Sequence, residues 1–333
     1  TVRLYSSPRK KELAENCHPF AVEIKDFTKP VDIPAVDVPA GYTTLFVFPY
    51  SVGFQFSGFK NLAALNEAIT KRLKNLGVTT LLFMRHLELI EYEIKIPGKE
   101  ASGEYLLDAE PINDHCTRVS AIESEDDKTD ESLSFIKFSM PIDSRVSTRT
   151  IDVAFTVATG KEGKTTFQKA KNPYISVYFP TETESKLDFI VQGPFRTTPN
   201  RSSVPADEEE NEALAEQTAK LLRQSVLELR DMGLLDLSLI RILPLDEDDF
   251  DVYPLFYPLY EEMRDLFSSE RVLPVKDGKG YTKATNAVIA RSREIAELLP
   301  SELISELING KRHYEWIPVS LTETGPYKDV LSY

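Results

Sequence analysis

The sequence predicts an α+β protein, and three observations predict it. Within roughly the first 200 residues, short runs of β-branched and aromatic residues alternate with turn residues, the composition of strands. One strongly periodic helix interrupts them, at Leu62, Leu65, Ile69, Leu73 and Leu76. After Pro205 the apolar residues fall at helical spacing.

Taken in order, Phe20 to Phe27 alternates apolar and polar residues, the period of a half-buried strand, and Thr43 to Pro49 (TTLFVFP) reads as a buried strand. Pro30, Pro34, Pro39 and Gly41 turn the chain between them. The helix Leu62–Leu76 has apolar spacings of 3, 4, 4 and 3, and Gly77 stops it. Thr79 to Ile96 is apolar with interspersed charge and ends at Pro97-Gly98. Strands are expected at Thr117–Glu123, Leu133–Met140, Thr150–Val157, Tyr174–Phe179 and Leu187–Gln192. The acidic run Glu123 to Glu131 reads as a solvated hairpin tip. Beyond Pro205, Leu214, Thr218, Leu221, Leu222, Val226 and Leu229 share one helical face, with Asp207 as the expected cap and Gly233 as the stop. Further helices fit Leu255–Phe267, Ala284–Leu299 and Glu302–Ile308.

Composition narrows the function. The 333 residues suit two or three structural units, and 41% hydrophobic with 10% aromatic residues is enough for a sizeable core. Against 53 Asp and Glu stand 39 Lys and Arg, a net charge of −14. That excludes a duplex nucleic-acid partner, which needs a basic face, and docking on anionic lipid. No apolar run approaches the ~20 residues of a membrane-spanning helix, and Thr1 to Tyr5 shows no apolar signal segment. Two cysteines, Cys17 and Cys116, fit a reducing, cytoplasmic compartment. The first residue is Thr rather than Met, so further sequence is expected upstream.

Several motifs bear on chemistry. Ala158 to Thr165 satisfies a relaxed P-loop pattern with Lys164, but the next six residues carry only Phe167 and Ala170 as apolar positions, so Gly160 to Gly163 reads as a hairpin tip. Cys17-His18 and His115-Cys116 lack the spacing of zinc ligand pairs. His86 and His313 have no visible catalytic partner, and Asp277 to Gly280 reads as a turn. The richest segment is Gln192 to Pro205, in which a buried strand feeds a proline-stiffened loop with Arg196, Asn200, Arg201 and several hydroxyls. A rigid arginine there suits a clamp on phosphate. The other reading pairs the arginine with Glu208 to Glu210 at the helix entrance.

The motifs TTLLFMRHL (79–87), YFPTE (178–182), VQGPFRTTP (191–199), LRDMGLL (229–235) and LPLD (243–246) resemble sacsin-like proteins of the GHKL ATPase superfamily, relatives of the ninety-kilodalton heat-shock chaperones. The resemblance covers about Phe20 to Tyr333, the region downstream of that family's nucleotide pocket, and YFPTE with QGPFRTTP is its specific part. It implies the tail of an ATPase-like domain with a connecting helix over 1–77. A transducer-like middle domain with a mixed sheet and a long amphipathic helix comes next over 78–245, and a helical continuation over 246–333. It implies Arg201 as the arginine that senses the γ-phosphate, with Arg196 as its rival, and Asn200, Asn211 and Gln192 as residues beside the nucleotide. The family's Asp-x-Gly-x-Gly segment, glycine-rich lid and Glu/Asn helix are not in this sequence. The resemblance therefore assigns ATP and Mg²⁺ to an upstream domain, and this chain to coupling that domain to movement. The partners it implies are that ATPase domain, a client protein and a second copy of the chain. The alternatives are a non-catalytic chaperone-type scaffold, whose acidic loops at 123–131 and 246–249 face a basic partner, and a P-loop NTPase using Lys164.

Overall fold

The computed structural model describes residues 61–321, apart from short breaks at 85–86, 97, 126–130, 144–145, 161–162, 172, 277, 279, 291–292 and 309–311. The strands expected near residues 20–27 and 43–49, Cys17, His18 and His86 lie outside the described residues. The chain divides into two units, Thr1–Ile69 and Thr70–Tyr333. The division falls within the first described helix, α1 (Leu62–Lys74). Gly77 takes φ +79° just after it, a conformation that glycine adopts without strain.

The second unit is built on a nine-stranded mixed sheet, so the protein is α+β as the sequence predicts. Strands β1 (Leu89–Ile96), β2 (Lys99–Pro111), β3 (Cys116–Glu125), β4 (Glu131–Asp143) and β5 (Val146–Thr159) form an antiparallel meander. Glu123 stands opposite Glu131, so the acidic run joins a hairpin. The short β6 (Thr165–Gln168) pairs with the end of β5. β7 (Tyr174–Val177) and β8 (Phe179–Glu184) form the far edge. β9 (Ile190–Gln192) inserts between β5 and β7, antiparallel to β5 and parallel to β7.

The 13-residue β2 is not among the expected strands, because KEASGEYLLDAEP offers few apolar positions. Its neighbours on both sides supply the hydrogen bonds that its composition does not advertise. Gly103 permits this pairing: a Cβ there would come within 2.8 Å of the Ser124 carbonyl oxygen and collide with the Tyr92 ring.

The long helix α2 (Glu209–Asp231, 23 residues) covers one face of the sheet. Every residue assigned to its apolar face from spacing is buried. Thr218 and Ser225, also buried, donate their hydroxyls to the carbonyls four residues back, Leu214 and Leu221, at 2.7 Å each. The helix ends with Leu234 N–H on the Leu229 carbonyl, Gly233 N–H on the Arg230 carbonyl, and Gly233 at φ +73°. Its N-terminus differs from expectation: Glu208, not Asp207, is the capping residue, and no side chain caps it.

β5 feeds two cores through its alternating side chains. Ile151, Val153, Phe155 and Val157 join the cluster beneath α2, where Phe155 packs on Phe138, Phe167 and Phe189 with centroids 5.2–6.3 Å apart. Ala154 on the opposite face joins a second cluster with Leu81, Leu82, Tyr105 and Phe135. Tyr105 donates its hydroxyl to the Leu73 carbonyl at 2.7 Å, and Lys74 pairs with Glu125 at 3.3 Å, fixing the end of α1 to the sheet.

The chain continues through α3 (Leu237–Ile240), α4 (Tyr257–Ser269), α5 (Arg293–Leu298) and α6 (Ser301–Ile308). The core beneath α2 runs without a break across the 245/246 boundary, from Leu243 to Phe250 and on to Leu321. The segment Ala284–Leu299, expected as one helix, is a 3-10 turn, a two-residue strand and then α5. The two-residue strands β10 (Leu273–Pro274), β11 (Tyr281–Thr282), β12 (Ala287–Val288) and β13 (Glu315–Trp316) also punctuate this region. Among the described residues no helix is long and apolar enough to cross a membrane.

Candidate functional site

The loop between β9 and α2 leaves the sheet at its one parallel strand pair. Gln192 is in register with Asp152 on β5 and Ser176 on β7, and all three are at least 95% buried. The Gln192 Oε1 has no hydrogen-bond partner, so a buried amide acceptor is left over at the root of the loop. Gly193 N–H then donates to the Ser176 carbonyl at 3.1 Å. Phe195 lies against Gly193 so closely that a Cβ would meet its ring at 2.8 Å, and packs edge-on against Phe256. Glycine is required here by that ring, not by backbone conformation.

Asn211, fully buried in the first turn of α2, clasps both ends of the loop. Its Oδ1 accepts from Arg196 N–H at 2.7 Å, and its Nδ2 donates to the carbonyls of Arg196 at 3.1 Å and Pro205 at 2.8 Å. These bonds occupy its amide on both sides, so Asn211 holds the loop and has no donor left for a nucleotide. Between the clasped ends, Thr198 to Ser203 forms a closed turn. Asn200 Oδ1 accepts from the Thr198 hydroxyl at 2.7 Å and the Ser202 hydroxyl at 2.9 Å, so its amide oxygen is used within the loop. The loop is seated on β8 through Glu182 N–H to the Ser202 carbonyl and Val204 N–H to the Thr183 hydroxyl, each at 3.0 Å. The half-buried Tyr253 hydroxyl, its pKa pushed up by desolvation, donates to the Val204 carbonyl at 2.7 Å.

The two arginines have different fates. Arg196 forms a bidentate pair with Glu210, Nε and Nη2 donating at 2.6 and 2.7 Å. That bond, with further help from Arg149, holds the Glu210 carboxyl below its ordinary pKa, and Glu210 in turn raises that of Arg196. The pairing read from the sequence as the alternative to a phosphate clamp is therefore the arrangement of Arg196. Arg201 sits at φ +59° and donates Nη2 to the Val177 carbonyl at 2.9 Å. No carboxylate pairs with it among the described residues. Tyr178, the single residue between β7 and β8, is also left-handed at φ +64°, and Tyr178 and Phe179 are 37% and 48% exposed. Left-handed backbone at a tyrosine and an arginine costs of order 1 kcal/mol each. The YFPTE segment carried this tip in the sequence, but nothing in its pattern marked Tyr178 as strained.

The other candidates resolve plainly. Gly160 N–H bonds the Lys164 carbonyl at 2.9 Å, and the chain then enters strand β6 rather than a helix, so the phosphate-facing helix of a P-loop is missing. Lys164 itself lies 3.5 Å from Asp236. Cys116 is buried in the core, where desolvation pushes its thiol up to about 12. No group of three or more His, Cys, Asp or Glu among the described residues could hold a metal ion. Comparison with models of known families, with curated proteins and with solved structures gives no match.

Proposed function

We infer that this chain is the coupling segment of a GHKL-type ATPase, in which Arg201 bonds the terminal phosphate of a nucleotide held by an upstream domain. One observation carries the reading: of the two loop arginines, Arg196 is consumed by Glu210, while Arg201 offers a charged guanidinium with only a neutral carbonyl as partner. On this reading ATP and Mg²⁺ are held by the upstream domain, as the family resemblance implies. On phosphate contact the Arg201 guanidinium would exchange the Val177 carbonyl for an anionic oxygen, a stronger charge-assisted bond. The docked arrangement is favoured by that difference. A client protein moved by the docking is the output.

The test is ATP turnover in the longer protein carrying the upstream domain. Arg201→Ala should lower turnover steeply, toward the roughly 10³-fold that such arginines contribute in phosphoryl transfer, while Arg196→Ala should not. Both variants should keep the wild-type far-UV spectrum. Turnover unchanged by Arg201→Ala overturns the reading and leaves the chaperone-type scaffold. That second reading is favoured by the acidic segment at 246–249, where Glu247, Asp248 and Asp249 are exposed side by side for a basic partner.

A further inference from the structure

The apolar surface of the described chain is concentrated far along the sequence from the arginine loop. Six of the twelve exposed large hydrophobic side chains lie between Ile289 and Ile308. In α6, helical geometry sets Leu303, Ile304, Leu307 and Ile308 on one face at successive i, i+4 positions. Only Ile304 is buried, in a small cluster with Ala290, Ala296 and Trp316. Leu303 is 46% exposed, Leu307 73% and Ile308 48%, and Leu298 at the end of α5 is 77% exposed. The helix thus makes an apolar face wider than the one it buries.

The edge of that face is acidic. Glu302 and Glu306 fall one turn apart, beside the Leu303–Leu307 stripe, and both are exposed. Four glutamates stand on α5 and α6 against one arginine, Arg293, which is bonded to Glu297 at 2.8 Å. Two copies of the chain meeting on this stripe would bring like-charged rims together. Anionic lipid would be repelled in the same way.

We propose that the exposed face of α6, with the end of α5, is a docking surface for a cationic amphipathic helix of a partner protein. The partner's apolar stripe lies along Leu303 and Leu307, and its Lys or Arg residues meet Glu302 and Glu306, the helix-in-groove mode of recognition. Apolar contact supplies most of the affinity, and the glutamates select a basic partner and speed encounter. This surface is independent of the nucleotide reading above.

The experiment uses the full chain and two fluorescein-labelled 18-residue Leu/Lys peptides of identical composition. One has leucines at i, i+3, i+4 and i+7, and the other is scrambled so that no stripe forms. Fluorescence anisotropy should show the striped peptide binding at least about tenfold more tightly than the scrambled one. Leu303→Ser combined with Leu307→Ser should weaken it about tenfold or more. Leu307 is largely exposed and Leu303 about half exposed, so the double variant should keep close to the wild-type melting temperature. Glu302→Gln with Glu306→Gln should weaken binding less and flatten its salt dependence. Equal binding of the two peptides, or undiminished binding by the leucine double variant, overturns the proposal, since charge alone would then explain it. A wild-type dimer in sedimentation that the leucine double variant dissociates overturns it in favour of a second copy.

Discussion

The sheet with α2 and the segment from Val288 to Trp316 solve the same burial problem with very different success. In the first, a 23-residue helix lies over strands of up to 14 residues, and the core beneath it runs from Cys116 to Leu321. In the second, helices of six and eight residues enclose four buried side chains: Ala290, Ala296, Ile304 and Trp316. Both helical regions are amphipathic in sequence. The difference is how much neighbouring surface the chain provides. α2 finds a whole sheet face, whereas α6 finds only the edge of a two-strand patch and keeps leucines in solvent. An amphipathic pattern therefore states how much a helix could bury, and the surrounding architecture decides how much it does.

The largest effect should come from setting the two cores against each other. Phe155→Ala removes a ring that three other phenylalanines touch and should cost about 3–5 kcal/mol of global stability in urea unfolding. Ile304→Ala should instead speed amide exchange locally in α5 and α6, leaving α2 protected. Equal global losses would show that the C-terminal segment is part of one cooperative unit.

A middle-sized effect belongs to the loop. Asn211→Ala strips the partners from Arg196 N–H and the Arg196 carbonyl together with one from the Pro205 carbonyl. It should cost about 1–3 kcal/mol and expose the Arg196 amide to exchange. A loop that stays protected would mean its seat on β8 and Tyr253 is sufficient alone.

The smallest effect is expected at Arg196 and Glu210, both well exposed. The Glu210 pKa is depressed in the folded protein, so whatever stability the pair adds is present above the ordinary glutamate pKa. It is lost as pH falls through the lower folded value. Arg196→Ala should therefore lower the melting temperature slightly at pH 7 and not at all once Glu210 is protonated. A gap that persists in acid would assign the effect to the arginine's packing.

Sequence made part of this legible and concealed the rest for identifiable reasons. The helix ending before Gly77 and the α2 face are readable from helical periodicity, and strands β3, β4 and β5 from their β-branched and aromatic residues, which feed the cores on both faces of the sheet. β2 was hidden because its hydrogen bonds come from both sides while few of its side chains are buried. The segment Ala284–Leu299 looked helical because Ala284, Ala287 and Ala290 have good intrinsic propensity. Its first residues form a 3-10 turn and pair with Glu315 and Trp316 instead. At the loop, the residue types marked out the segment but not the bonds made within it. Asn211 bonds the loop backbone, Asn200 takes the Thr198 and Ser202 hydroxyls, Arg196 meets Glu210, and Arg201 meets the Val177 carbonyl.

The insertion of β9 between β5 and β7 has a consequence for how the chain is made. β1 to β5 pair with sequence neighbours, so the meander can close early, as low contact order favours. The edge of β5 that takes up β9 has to wait, since Ala154 pairs with Ile190, 36 residues later. At ~5–20 residues per second of synthesis, that edge stays unpaired for about 2–7 s on a growing chain. An open strand edge is a template for unwanted pairing. The arginine loop, which begins where β9 ends, is completed only once that exposure is over.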